Sequence, residues 1–316
     1  MNYWGINALN HGCSLAVVKN GDLKFWQFNN STDRLPSEFI KMALNWDAPD
    51  EICWYERPWI KKARQLKAGQ YHEVFDMEAL PKKYLRQAGL SYPRVTYTPH
   101  HASHAAAGYY TSPFNHCAIV VLDAIGEFEC ASIWEGKHGE LTKVWSANYP
   151  NSLGLFYSAF TKLLGLTPIK DEYLLQEMST KGDPRKYRSS IGDYFNIGPI
   201  GLNYNFHRGV INWPTNVELE QEKYDIAAAV QERFEIEVAK VMHKAKTLTG
   251  ADCLVYMGGC AMNSQANTNE VERMFKYRWS LPQPGDPSSA IGAVLYHTKD
   301  RIQWVGPLAK HLAINV

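Results

Sequence analysis

Apolar runs and polar breaks divide the chain into strands and helices that come twice in a similar order. Residues 3–7, 14–18 and 23–28 have the length and alternation of short strands, and Asn20-Gly21 between the last two suits a tight hairpin. A helical period follows over 36–46, then a buried strand at 51–55 and a basic amphipathic segment over 57–67. Another helix is predicted over 77–88 and a strand over 94–97. The pattern then restarts with a strongly apolar strand at 116–123 and strands at 130–135 and 141–146, the last two joined by a turn at Gly136-Lys137-His138-Gly139. Residues 151–165 read as a helix with Phe156, Tyr157 and Phe160 inward, and 182–214 as an irregular connection. Residues 218–248 give the longest helical pattern, kinked or broken near Lys223, before strands at 252–257 and 277–281. Three strands followed by helices, repeated, predict a duplicated α/β architecture of two lobes, divided at 1–112 and 113–316, with a cleft between them.

Composition agrees with a large buried core: the 316 residues are 45% hydrophobic and 13% aromatic. A formal charge of +1 supplies no global field for nucleic acid, so any basic surface is local. Six cysteines without CxxC spacing read as core residues of a reducing compartment. No apolar run reaches the length of a membrane span and the first residues lack a signal-peptide layout, which together predict a cytoplasmic protein without membrane contact.

The candidate chemistry centres on Thr98-Pro99-His100-His101-Ala102-Ser103-His104. Thr98 is expected to cap a helix with Pro99 at its first position. His100 and His104 then stand one turn apart on one face, and the helix N-terminus favours neutral rings, the metal-binding form. Two histidines are half a metal site; the alternative is a helix start with hydrogen-bonded imidazoles. Polar loops are expected after the first strand of each half, at Asn7 to Ser14 and at Asp123-Ala124-Ile125-Gly126-Glu127, where ligands and magnesium-phosphate groups sit in such folds. Gly258-Gly259 marks a strand-to-helix junction open to a ligand or to tight packing. Asp286 reads either as a capping residue or as a hard oxygen ligand. Arg57, Lys61, Lys62, Arg64 and Lys67 are interleaved with aromatics, and Arg185, Lys186, Arg188 and Arg208 sit in the irregular connection. Such segments either track a nucleic-acid strand or form solvated faces.

Taken together, these blocks resemble the O-carbamoyltransferases of nodulation-factor and antibiotic biosynthesis, which share a lobe with the tRNA threonylcarbamoyl-adenosine transferases. The resemblance rests on Tyr55-Glu56-Arg57-Pro58, His100-His101-Ala102-Ser103-His104-Ala105-Ala106 and Asp123-Ala124-Ile125-Gly126-Glu127. It continues in Ser152-Leu153-Gly154, Gly258-Gly259-Cys260-Ala261-Met262-Asn263 and Gly285-Asp286 with Ala290-Ile291-Gly292-Ala293. It implies an actin-like, sugar-kinase-like fold, and His100, His104 and Asp286 as ligands of a divalent metal, Fe(II) first. It also implies that His11 and the glycine loops hold the donor and any nucleotide, with Asn10, Gly12, Gly126, Glu127, Gly258, Gly259 and Asn263 assigned to that role.

The sequence departs from the family at Gln27-Phe28-Asn29-Asn30-Ser31 and at Asp171-Glu172-Tyr173-Leu174, where a lysine is missing. Long members add a domain that activates carbamoyl phosphate with ATP, and these 316 residues contain no counterpart, so either self-sufficiency or an activating partner is implied. The implied reaction is carbamoyl transfer from carbamoyl phosphate, directly or as a carbamoyl-adenylate made with ATP and magnesium, to a hydroxyl. His11 or Asp123 is the general base. The first acceptor is the hydroxymethyl group of a modified cytosine in DNA, contacted by Arg57, Lys61, Arg185 and Arg208. A sugar or antibiotic-like alcohol, tRNA threonylcarbamoyl transfer and a catalytically silent nucleotide-binding subunit are the alternatives. Nothing in the sequence indicates the oligomeric state.

Overall fold

A computed structural model describes residues 1–10, 12–28, 32–90, 94–211, 213 and 217–304. The fold is α/β with two mixed five-stranded sheets. The first is built from β1 (Asn2–Asn10), β2 (Gly12–Lys19), β3 (Asp22–Phe28), β4 (Glu51–Trp54) and β5 (Arg94–Tyr97), in the order β3-β2-β1-β4-β5. The second uses β6 (His116–Gly126), β7 (Glu129–Lys137), β8 (Glu140–Asn148), β9 (Cys253–Met257) and β10 (Tyr277–Trp279), in the order β10-β9-β6-β7-β8. Each sheet therefore opens with an antiparallel meander and continues with two parallel strands on the other side of its first strand.

The polar segments expected as loops after β1 and β6 are instead strand ends with broken register. Pairing of β1 with β2 is irregular between Asn7 and Asn10, and that of β6 with β7 between Leu122 and Gly126. Such irregularities bend the strand and re-aim its side chains.

The helices of the first half are α1 (Ser37–Asp47), α2 (Pro58–Lys67), α3 (Tyr71–Phe75), α4 (Pro81–Gln87) and α5 (His100–Thr111). The segment expected as one helix over 77–88 is thus shorter, because Pro81 opens α4 at its first turn. After β8 come α6 (Leu153–Leu163), α7 (Glu172–Ser179), α8 (Arg188–Gly192), α9 (Glu220–Thr249), the short turns α10 (Ser264–Ala266) and α11 (Glu272–Met274), and α12 (Ser289–Thr298). Helix α9 is continuous over its 30 residues and does not break at Lys223; it ends at Gly250, whose φ of 62° only glycine adopts at little cost. The irregular connection is tied down by Tyr194, Phe195 and Phe206, packed on Phe156 and Phe160 of α6.

Alternation along β6 shows how the layers stack. Cys117, Ile119 and Val121 enter one core with α5 and α12, while Ala118, Val120 and Leu122 enter another with α6 and α9. A continuous apolar run is the pattern of a strand covered on both faces. Helix α5 lies against the second sheet and α12 against the first, and the two helices pack on each other. A Cβ on Gly292 would stand 1.6 Å from the Ser103 carbonyl oxygen, and one on Gly5 would stand 1.8 Å from that of Ala290. Only glycine permits these approaches. Gly292→Ala is accordingly expected to cost about 3 kcal/mol or more in urea unfolding. Gly192→Ala, where the added methyl meets nothing within 4 Å, should be neutral or stabilising. Equal midpoints for the two variants would contradict this packing.

Candidate metal centre

All twelve residues of α5 are buried, so its first turn carries polar side chains where water cannot satisfy them. Pro99, not Thr98, occupies the cap position, and the Thr98 hydroxyl instead donates to the Ala293 carbonyl of α12. His100 and His104 turn their Nε2 atoms toward each other at 3.1 Å. Asp123, at the irregular end of β6, brings Oδ2 to 3.2 Å from His100 and 3.6 Å from His104. Asp286 brings Oδ1 to 3.4 and 3.5 Å from the same nitrogens. Asp286 opens the short turn before α12 and makes no capping bond, so its carboxylate is left to face the histidines.

Two imidazole nitrogens and two carboxylate oxygens, all within 4.8 Å of one another, face a common point. Buried lone pairs this close repel unless a cation or protons lie among them. An imidazole and carboxylate set suits iron, zinc or manganese. The donor set therefore fits a divalent metal, with Asp123 joining the three ligands expected from sequence.

Neighbouring groups hold this arrangement. Asn10 Nδ2 donates to Asp286 Oδ2 at 3.3 Å, while the amides of Ala124 and Gly259 donate to Asp123 Oδ1. A Cβ on Gly126 would come within 2.2 Å of His100 Cδ2, so this glycine exists to seat the ring. The edge of Tyr55 packs on His100 from another side. Among the described residues no acceptor meets Nδ1 of either ligand histidine, so packing orients the rings in place of the usual outer hydrogen bonds. His101 is separate: its Nδ1 hydrogen-bonds with the Ser132 hydroxyl, which accepts from Trp134 Nε1.

Protons and a metal would compete for the two rings of the cluster. Burial pulls the His100 and His104 pKa values down, but hydrogen bonds with Asp123 and Asp286 outweigh it and leave both raised when no metal is counted. Burial raises the two carboxyls, and the same histidines overcome it and hold both below the usual carboxylate range. His101 is driven down by burial and by His100, and stays neutral.

Several residues assigned to donor or acceptor contacts are otherwise engaged. His11 lies outside the described residues. The Gly12 amide donates to Asp33, that of Gly258 to the Pro284 carbonyl, and that of Gly259 to Asp123. Gly258 has a φ of 93°, and a Cβ there would stand 2.2 Å from the Leu122 oxygen, which is the tight-packing reading of the glycine pair. Asn263 pairs its carboxamide with Gln231 and caps α10. Glu127 is buried in an ion pair that joins its carboxylate to the amide and guanidinium of Arg57. Lys61 binds Glu56, and Arg185 binds Asp183 on an exposed surface. Two of the four expected acceptor cations line cavities: Arg208 with Lys67, Tyr149 and His207, and Lys61 in a second, smaller one beside its partner Glu56.

Sequence reasoning missed Asn7. It lies opposite Ser14, whose hydroxyl donates to the Pro287 carbonyl, so its side chain shares the sheet face that meets Asp286 and α12. Its carboxamide is fully buried and, among the described residues, neither polar atom has a partner. An asparagine at the end of an apolar strand was the available signal.

Residues 61–295 match the family model described as carbamoyltransferase N-terminus. An uncharacterised protein of Synechocystis is 26% identical over 92% of this chain and 56% of its own length. The nodulation protein NolNO of Sinorhizobium fredii is 27% identical over 64% of this chain and 31% of its own. The chain thus spans about half or less of these relatives. Among solved structures, HypF of T. kodakarensis aligns over 94% of this chain and 47% of its own with a TM-score of 0.49 and 13% identity, too distant a likeness to argue from. No helix among the described residues is long and apolar enough to cross a membrane.

Two outcomes follow for the cluster. Protons compete with the metal for raised histidines, so affinity for Fe(II) or Zn(II) should weaken by up to about tenfold per displaced proton for each pH unit of acidification. A pH-independent titration would contradict that. Gly126→Ala should retain far-UV dichroism yet lower metal affinity by about tenfold or more, read with a competing chelator.

Proposed function

The chain belongs to the carbamoyltransferase N-terminus family, and from that membership we propose that it transfers a carbamoyl group to a hydroxyl at the centre formed by His100, His104, Asp123 and Asp286. The observation that carries this reading is the convergence of those four side chains, from α5, the end of β6 and the turn before α12, on one buried point. The common strand order of the sheets supports a duplicated actin-like architecture with a division near residue 112 and the centre at the junction. A divalent cation held there, Fe(II) first, supplies Lewis-acid polarisation of the carbamoyl oxygen.

The donor is carbamoyl phosphate, with ATP and magnesium needed only if it is used as an adenylate. The acceptor oxygen forms a bond to the carbamoyl carbon, the bond from that carbon to the phosphate oxygen breaks, and the hydroxyl proton leaves to a base. Asn7 offers one donor and one acceptor, the complement of a carbamoyl NH2 and carbonyl. Asp123 is grouped with the ligands, so of the two candidate bases His11 is the one retained. The Arg57–Glu127 ion pair ties the start of α2 to the turn after β6 that seats His100, a positioning role. For the acceptor we keep the hydroxymethyl group of a cytosine in DNA. Lys67 and Arg208 support it, because Arg57, Lys61 and Arg185 are already in ion pairs.

The test incubates purified chain with carbamoyl phosphate and a hydroxymethylcytosine oligonucleotide, with and without ATP. Carbamate product from this chain alone is expected, with a loss of about a hundredfold or more in His104→Ala. Wild-type turnover and metal content in that variant would overturn the site. Product only after adding a second protein would overturn self-sufficiency.

A further inference from the structure

A cavity of about 380 Å³ lies beside the turn joining β6 to β7, walled by Lys67, Gln70, Tyr149, His207 and Arg208, with no acidic side chain in its lining. Its two exposed cations differ from others nearby. Arg57, Arg185 and Arg188 each find a carboxylate, whereas Lys67 and Arg208 have none within 4 Å among the described residues. Lys67 instead lies over the Phe128 ring.

A third cation stands behind the wall. Arg64 is 7% exposed, and its guanidinium bonds the Glu127 carbonyl and the Gln70 side chain, with no carboxylate within 4 Å. Burial first, and then the Arg64 charge, hold His207 below its ordinary pKa, with Glu73 opposing them. Two exposed cations with no carboxylate partner, and a buried guanidinium behind them, thus flank one concave space that an anion could enter. The fork of an arginine beside an ammonium matches a phosphoryl group. The rings of Tyr149 and His207, packed edge to face, border the same space, and its volume falls in the range of small-molecule sites.

The cavity and the metal centre share one turn. The Tyr149 amide donates to the Phe128 carbonyl at 2.8 Å, and Gly126, two residues before Phe128, seats His100. We propose that this cavity is a phosphoryl-binding subsite that anchors the acceptor through a phosphate while its hydroxyl is presented to the centre. The acceptor half of this inference rests on the carbamoyl-transfer reading; the phosphoryl subsite does not.

Calorimetry separates the two. Wild type and the double variant Lys67→Gln with Arg208→Gln are titrated with hydroxymethyldeoxycytidine, its 5′-monophosphate, carbamoyl phosphate and inorganic phosphate. Both substitutions are at exposed positions, and circular dichroism checks the fold. The monophosphate should bind wild type about tenfold or more tighter than the nucleoside, and the double variant should lose that difference while keeping its affinity for carbamoyl phosphate. Equal binding of nucleoside and monophosphate by wild type overturns the subsite, as does a difference that survives in the double variant. Weakened carbamoyl phosphate with unchanged monophosphate overturns the acceptor assignment in favour of the donor. Phosphate-dependent binding that the variant abolishes, without any carbamoyl product, supports the subsite and sinks the reaction.

Discussion

The close crossing of α5 and α12 is the contact on which the rest of the site depends. Helix α5 carries both histidines and α12 follows Asp286, so the distance between the helices sets the distance between ligands. Gly292 against the Ser103 carbonyl and Gly5 against Ala290 let three backbones approach more closely than any side chain would allow. Each helix also packs on the sheet formed by the other half of the chain, so the cluster sits where both halves are buried together.

The second determinant is the behaviour of the two leading strands. Both β1 and β6 lose register at their ends, and there the chain supplies Asn7 and Asn10 from one and Asp123 from the other. A regular strand would alternate these side chains between two faces. Irregular pairing frees Asp123 to meet the histidines and Asn10 to hold Asp286. Gly126 then seats His100 three residues beyond Asp123, and Glu127 binds Arg57, so one turn serves ligand, ring support and ion pair.

Electrostatics divide the basic residues into two kinds. Many find carboxylates, and some of these pairs tie elements together, as Arg57 does with Glu127 and Arg188 with Glu232. Lys67 and Arg208, with Arg64 behind them, face a concavity with no acidic side chain in its lining. Charge counted along the sequence does not separate these kinds, since pairing depends on partners from other elements.

The sequence by itself determined what is local. Periodicity and turn chemistry located nearly every strand and the long helices, and the four-residue spacing of His100 and His104 placed them on one face because a helix repeats every 3.6 residues. The expected loops after β1 and β6, the break in α9 and the Thr98 cap failed because neighbours distant in sequence supplied the hydrogen bonds and packing that local signals leave open. Tertiary structure alone decided that Asp123 joins His100, His104 and Asp286 at one point, that Asp286 faces the histidines instead of capping a helix, and that Arg57 and Lys61 are spent on Glu127 and Glu56. Asn10 and Asp286 lie 276 positions apart, and the histidine side chains could meet either only after both sheets had closed around α5 and α12. The reason is physical: helix and strand periods fix the direction of a side chain relative to its own element, whereas a ligand set depends on how separate elements pack.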